Sequence, residues 1–78
     1  MPTADDVVRQ LAGSSGLTIR EIHRFIELDA VRLEEPALPR RLRRMRRLRR
    51  DLGLSMDAVV IIQRLLDRIE ALESRTTL

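Results

Sequence analysis

The sequence predicts an all-α protein, and three features carry that expectation. Apolar residues return every three or four positions along most of the chain, the spacing of a helix face. Hydroxyl residues followed by acids stand where helices should start, and glycines stand where they should stop. The third segment has a helical period that no alternating strand pattern fits.

The elements follow in order. Thr3 offers an N-cap hydroxyl, and Asp5 and Asp6 place negative charge in the first turn, where the helix dipole favours it. Val7, Val8, Leu11 and Ala12 then recur at helical spacing until Gly13-Ser14-Ser15-Gly16 stops the helix. Thr18-Ile19-Arg20-Glu21 reads as a capping box, with the threonine hydroxyl and the glutamate carboxylate each satisfying an orphan backbone donor. Its helix should bury Ile19, Ile22, Phe25 and Ile26 and turn Arg20, His23, Arg24 and Glu27 outward. Two short helices joined by a Gly-containing turn make the skeleton of a helix-turn-helix.

Glu34-Glu35-Pro36-Ala37-Leu38-Pro39 breaks the chain, and Pro39 suits the first turn of a third helix. There Leu42, Met45, Leu48 and Leu52 form one stripe. Arg49 falls inside it and Arg41 at its side, so Arg49 at least needs an acidic partner or must snorkel outward. Gly53 ends the helix. Ser55 caps the last one, and residues 56–62 are apolar on every side, which predicts burial. Ala58, Ile62, Leu65, Ile69 and Leu72 step by 4, 3, 4 and 3 residues, a coiled-coil seam of about two heptads. The expected organisation is one compact domain: residues 1–54 carry the helix-turn-helix and the Arg-rich third helix, and residues 55–78 form an amphipathic oligomerisation helix.

Composition narrows the function. A chain of 78 residues buries only ~60–65% of the surface its unfolded form exposes, so a partner copy is a natural supplement to the core. There is no Cys, one His and one aromatic residue, Phe25. Thiolate sites and disulfides are therefore excluded, His23 has no sequence partner for catalysis or metal binding, and no cofactor is expected. The longest uninterrupted apolar run, residues 58–62, falls far short of a membrane span. The polar, acidic start resembles no signal peptide, which leads us to expect a cytoplasmic, non-enzymatic protein.

The net charge of +3 hides a division. All fifteen basic residues are Arg, and eight of them lie within residues 40–50. Elsewhere seven Arg face twelve acids, a balance of −5. A GC-biased genome is one explanation for Arg in place of every Lys, and selection for bidentate contacts is another. Arg40, Arg43, Arg44, Arg46, Arg47 and Arg50 are candidate contacts to phosphates or to an acidic partner, including a ribosomal one. The competing reading is a charged face balanced by Glu34, Glu35 and the acids of the last helix. No aromatic residue interrupts the run, which disfavours stacking on single-stranded bases.

A helix-turn-helix, an Arg-rich third helix and a long seam helix together resemble the MerR-like regulators, and more closely their chaperone-modulator branch. Arg47-Leu48-Arg49-Arg50-Asp51-Leu52-Gly53-Leu54 resembles the RLRRDLGL-type segment of CbpM-like proteins. Leu65-Leu66-Asp67-Arg68-Ile69-Glu70-Ala71-Leu72 resembles their LLDEIEEL-type segment at the same separation. Leu17-Thr18-Ile19-Arg20-Glu21-Ile22, continuing to Leu28 and Val31, is similar to their second helix, and the small size also suits the related DafA-type assembly factors.

The resemblance implies a MerR-like fold and a modulator or assembly factor that binds a DnaJ-type co-chaperone, and in the assembly-factor case DnaK as well. It also implies that a basic J-domain surface would meet acids here, which points to Asp67, Glu70 and Glu73. Two departures stand out. Asp29 occupies the place where family members carry Gly, and only residues 32–38 separate the second and third helices, too few for a regulator's β-wing. The alternative function is a small DNA-binding regulator whose second helix enters the major groove while the Arg helix holds phosphates.

Overall fold

The computed structural model describes residues 1–76, so the last two residues of the expected 55–78 segment lie outside the described residues. Four helices follow one another: α1 (Ala4–Ser15), α2 (Ile19–Glu27), α3 (Leu38–Arg50) and α4 (Met56–Thr76). No strand occurs among the described residues. Helix α1 packs on α2 and α3, and α4 lies across α3 and α2.

The starts are fixed locally. Thr18 and Glu21 form the expected box, with the Glu21 amide donating to Thr18 Oγ1 at 3.0 Å and the Thr18 amide to Glu21 Oε1 at 2.9 Å. Thr3 and Asp6 make the same reciprocal arrangement at α1. Ser55 caps α4 by accepting from the Ala58 amide at 3.1 Å. Helix α1 runs through Gly13 and ends at Gly16, whose φ of 81° is left-handed. The left-handed conformation is what calls for glycine there; a Cβ would also meet Nε and Cδ of Arg46, whose flexible side chain would have to move aside.

The core gathers Val8 from α1, Ile22 and Phe25 from α2, Leu42 and Met45 from α3, and Val59 and Val60 from α4. Leu17, Ala30, Val31 and Leu38 close it from the connections and the start of α3. Three expectations need correction. Ile19 is exposed, because it sits in the first turn of α2, beyond the reach of the other helices. Leu52 is 65% exposed, because α3 stops at Arg50; the chain then turns at Gly53 (φ 64°), and Leu54 packs against the core instead. Ile61 is 57% exposed, so the start of α4 is covered on one side only.

The connection at residues 28–37 contains turns and no hairpin, in keeping with the short spacing. Asp29 adopts φ 55°, the left-handed conformation that would suit glycine. Its carboxylate lies 3.7 Å from the Arg32 guanidinium in an exposed pair that contributes little. Asp29→Gly should therefore raise stability by about 0.5–1 kcal/mol, read as a shift of a few degrees in the thermal midpoint followed by circular dichroism. Unchanged or lower stability would show that the left-handed turn carries no strain.

Candidate functional site

The charged surface is built where α3 crosses its neighbours. Arg41 lies at the side of the apolar stripe of α3, and its half-buried guanidinium reaches both carboxylate oxygens of Asp67 on α4. Its Nε also donates to the Ala30 carbonyl at 3.1 Å, and Glu35 stands 3.7 Å away. One turn on, Arg44 pairs with Glu70 at 3.1 Å. At the other end of α3, Arg49 and Arg50 converge on Glu21 at 3.6 and 3.2 Å, and Arg49 also donates to the Leu54 carbonyl at 2.7 Å. The acidic partner expected for Arg49 is thus Glu21, which serves the capping box as well.

The carboxyls respond to these partners. Burial pushes the Asp67 carboxyl up, but hydrogen bonds from Arg41 and Gln63, together with the charges of Arg41 and Arg44, outweigh it and leave the group below its ordinary value. Burial opposes ionisation of Glu21 in the same way, and hydrogen bonds from Thr18 and Arg50 again prevail. The hydrogen bond to Asp67 in turn raises the pKa of Arg41 despite its burial.

This geometry revises the candidate residues. Asp67 is not a free acid on an open face, because a two-point pair to Arg41 and a bond from Gln63 already occupy it. Glu70 is paired with Arg44 but exposed, so its pair is exchangeable. Glu73 is exposed on the following turn of α4. Arg44 and Arg50, candidates for phosphate, are engaged by Glu70 and Glu21. Arg40, Arg43, Arg46 and Arg47 form no ion pair with any described carboxylate. His23 lies exposed on α2 beside Arg20 and Arg24.

The seam of α4 is also re-registered. Leu65, Ile69 and Leu72 are exposed as expected, whereas Ala58 and Ile62 are half-buried against the fold. Ile61 takes their place, and the outward stripe becomes Ile61, Leu65, Ile69 and Leu72.

Two residues that sequence reasoning passed over matter here. Gln63 is 1% exposed; its Nε2 donates to Asp67 at 3.0 Å, while its Oε1 has no partner. A polar residue between the apolar stretch 56–62 and Leu65 was the available signal. Arg64 donates to the Leu28 carbonyl at 2.8 Å, placing a cation at the carboxyl end of α2. Only the fold brings those two residues together.

A four-helix chain opening with two capped helices around a left-handed glycine turn belongs to the helix-turn-helix class. The family model described as MerR HTH family regulatory protein matches residues 7–77, and the chain belongs to that family. No curated protein and no solved structure matches it. No helix among the described residues is long and apolar enough to cross a membrane.

Proposed function

We propose that this chain is a non-enzymatic, protein-binding member of the family that modulates or assembles a DnaK/DnaJ system by binding the DnaJ-type co-chaperone. The observation that carries the reading is the connection at residues 28–37. It holds turns where a winged DNA reader needs a hairpin, and so removes one of the two elements that would grip a duplex. The two segments that resemble CbpM-like proteins support it further, since one closes α3 and the other forms the middle of α4. In this reading α4 supplies both contacts. Its apolar stripe packs on a second copy, giving a homo-oligomer, and its exposed carboxylates Glu70 and Glu73 meet the basic surface of the co-chaperone. Asp67 supports that edge through Arg41 without touching the partner.

A second reading rests on α2, where Arg20, His23 and Arg24 are exposed together as a recognition helix requires. It makes the chain a DNA-binding regulator with the α3 arginines on phosphates.

Calorimetric titration separates the two. The full chain should give saturable heat with the DnaJ-type protein of its own cell, and Glu70→Lys/Glu73→Lys should weaken that binding at least tenfold while circular dichroism remains unchanged. Binding to duplex DNA should be indifferent to sequence and fade by roughly 200 mM salt. A footprint on one particular sequence that survives such salt, without heat from the co-chaperone, would replace the first reading with the second.

A further inference from the structure

The four arginines that α4 and α2 leave unengaged lie along one trough. An open cleft is lined by the last residues of α1, 13–15, and Gly16, together with Arg43, Arg46 and Arg47. A second depression, lined by Pro36, Ala37 and Pro39 with Arg40 and Arg43, adjoins it. Arg43 borders both, so the two depressions lie side by side on α3. The walls are glycine, serine, alanine and proline, and no carboxylate lines either part. Elsewhere α3 already binds carboxylates: Arg41 holds Asp67, Arg44 holds Glu70, and Arg49 and Arg50 hold Glu21.

We propose that this trough is a docking site for an extended acidic peptide segment of a partner protein, a contact separate from the co-chaperone edge on α4 and independent of it. Arg40, Arg43 and Arg47 follow i, i+3, i+7 spacing and share one face. Arg43 and Arg47 are about 6 Å apart along the helix axis. Alternate side chains of an extended peptide are spaced by about 6.6 Å, so two acids separated by one residue register with this pair. Arg46 keeps the inner end of the trough positive. Its Nε is enclosed against Gly16 without a hydrogen bond, beside the carboxyl end of α1, whose partial negative charge it offsets.

Composition favours this occupant over nucleic acid. The arginines line open depressions beside small residues, where an extended chain can lie with its carboxylates against the guanidinium groups. A single strand would lack stacking partners, since the only aromatic residue, Phe25, is in the core. Guanidinium pairs with carboxylates are bidentate, so side chains fixed at the right spacing gain more than diffuse charge does.

The test is fluorescence anisotropy with the full chain and a fluorescein-labelled nine-residue peptide of alternating Glu and Ala. Its Gln counterpart and a charge-matched oligothymidylate are the comparison probes. The Glu peptide should bind and the Gln peptide should not. Arg43→Ser/Arg47→Ser should weaken binding at least tenfold, as should Arg40→Ser/Arg43→Ser, a second pair that keeps the proposal testable if the first misfolds. Arg20→Ser, on α2, should change nothing. Equal behaviour of the Glu and Gln peptides, wild-type affinity in both double variants, or tighter binding of the oligothymidylate through the same arginines would each overturn the proposal.

Discussion

Truncation of Asp67 to Ala should destabilise the chain by about 2–3 kcal/mol, the cost of breaking charge-assisted hydrogen bonds at a half-buried site. For a domain of this size that is a fall of about 8–24 °C in the thermal midpoint. The cause lies on the far side of the pair. Without Asp67 the Arg41 guanidinium keeps only its bond to the Ala30 carbonyl and a 3.7 Å approach to Glu35, and the Gln63 amide loses its acceptor. Replacing both charges, as Arg41→Met/Asp67→Leu, should recover part of the loss, because an apolar pair needs no desolvation while the Gln63 amide and the Ala30 carbonyl stay without these partners. The same pair sets the acid limit. A carboxyl whose pKa is lower folded than unfolded stabilises the fold above the unfolded value and loses that contribution as pH falls through the folded one. Asp67 and Glu21 both have lowered values, so stability should fall as pH drops below the ordinary carboxylate range. Urea melts at stepped pH would read this directly. A flat profile across that range would contradict the pairing.

Leu65→Lys/Ile69→Lys should abolish self-association and leave the protomer folded. Both side chains are about half exposed in the single chain, at 56% and 49%, between Ile61 and Leu72 on the same outward stripe. Burying the remaining surface of four such side chains in a dimer contributes roughly 4 kcal/mol at about 1 kcal/mol each. Its loss raises the dissociation constant about a thousandfold. Because these residues take little part in the protomer's core, circular dichroism should change little; it is the half-buried Ala58 and Ile62 whose replacement should damage the fold. Sedimentation of the wild type at high micromolar concentration gives the contrary result if it finds a well-folded monomer.

Much of this architecture was legible because its signals are local. The Thr18–Glu21 box, the Ser55 cap, the glycine turn at residue 16 and, apart from Ile19 and Leu52, the apolar stripes of α2 and α3 depend on residues a few positions apart, and these appear in the fold. The misreadings share another origin. Ile19, Leu52 and Ile61 fit helical periods, but their burial depends on how far a neighbouring helix extends, which periodicity does not encode. The partners of the acidic candidates on α4 lie beyond the reach of periodicity for the same reason. Asp67 and Glu70 are legible as one acidic face, yet Arg41 and Arg44 reach them from 26 residues away. That pairing makes the acidic face part of a clamp and leaves Arg40, Arg43, Arg46 and Arg47 as the cations of α3 without an ion pair among the described residues. Only the competing reading of the Arg run, a face balanced by Glu34, Glu35 and the acids of the last helix, anticipated half of this division, through Glu35, Asp67 and Glu70.

Helix α3 is divided into an internally paired flank and an outward one. The most direct test is the carboxyl carbon of Asp67 followed by NMR through an acid titration of the full chain. The pairing predicts a midpoint below the ordinary aspartate value of 3.8, moving upward in Arg41→Met. A midpoint at or above 3.8 that ignores the loss of Arg41 would mean that Asp67 is a free surface acid, and the division of α3 would fail with it.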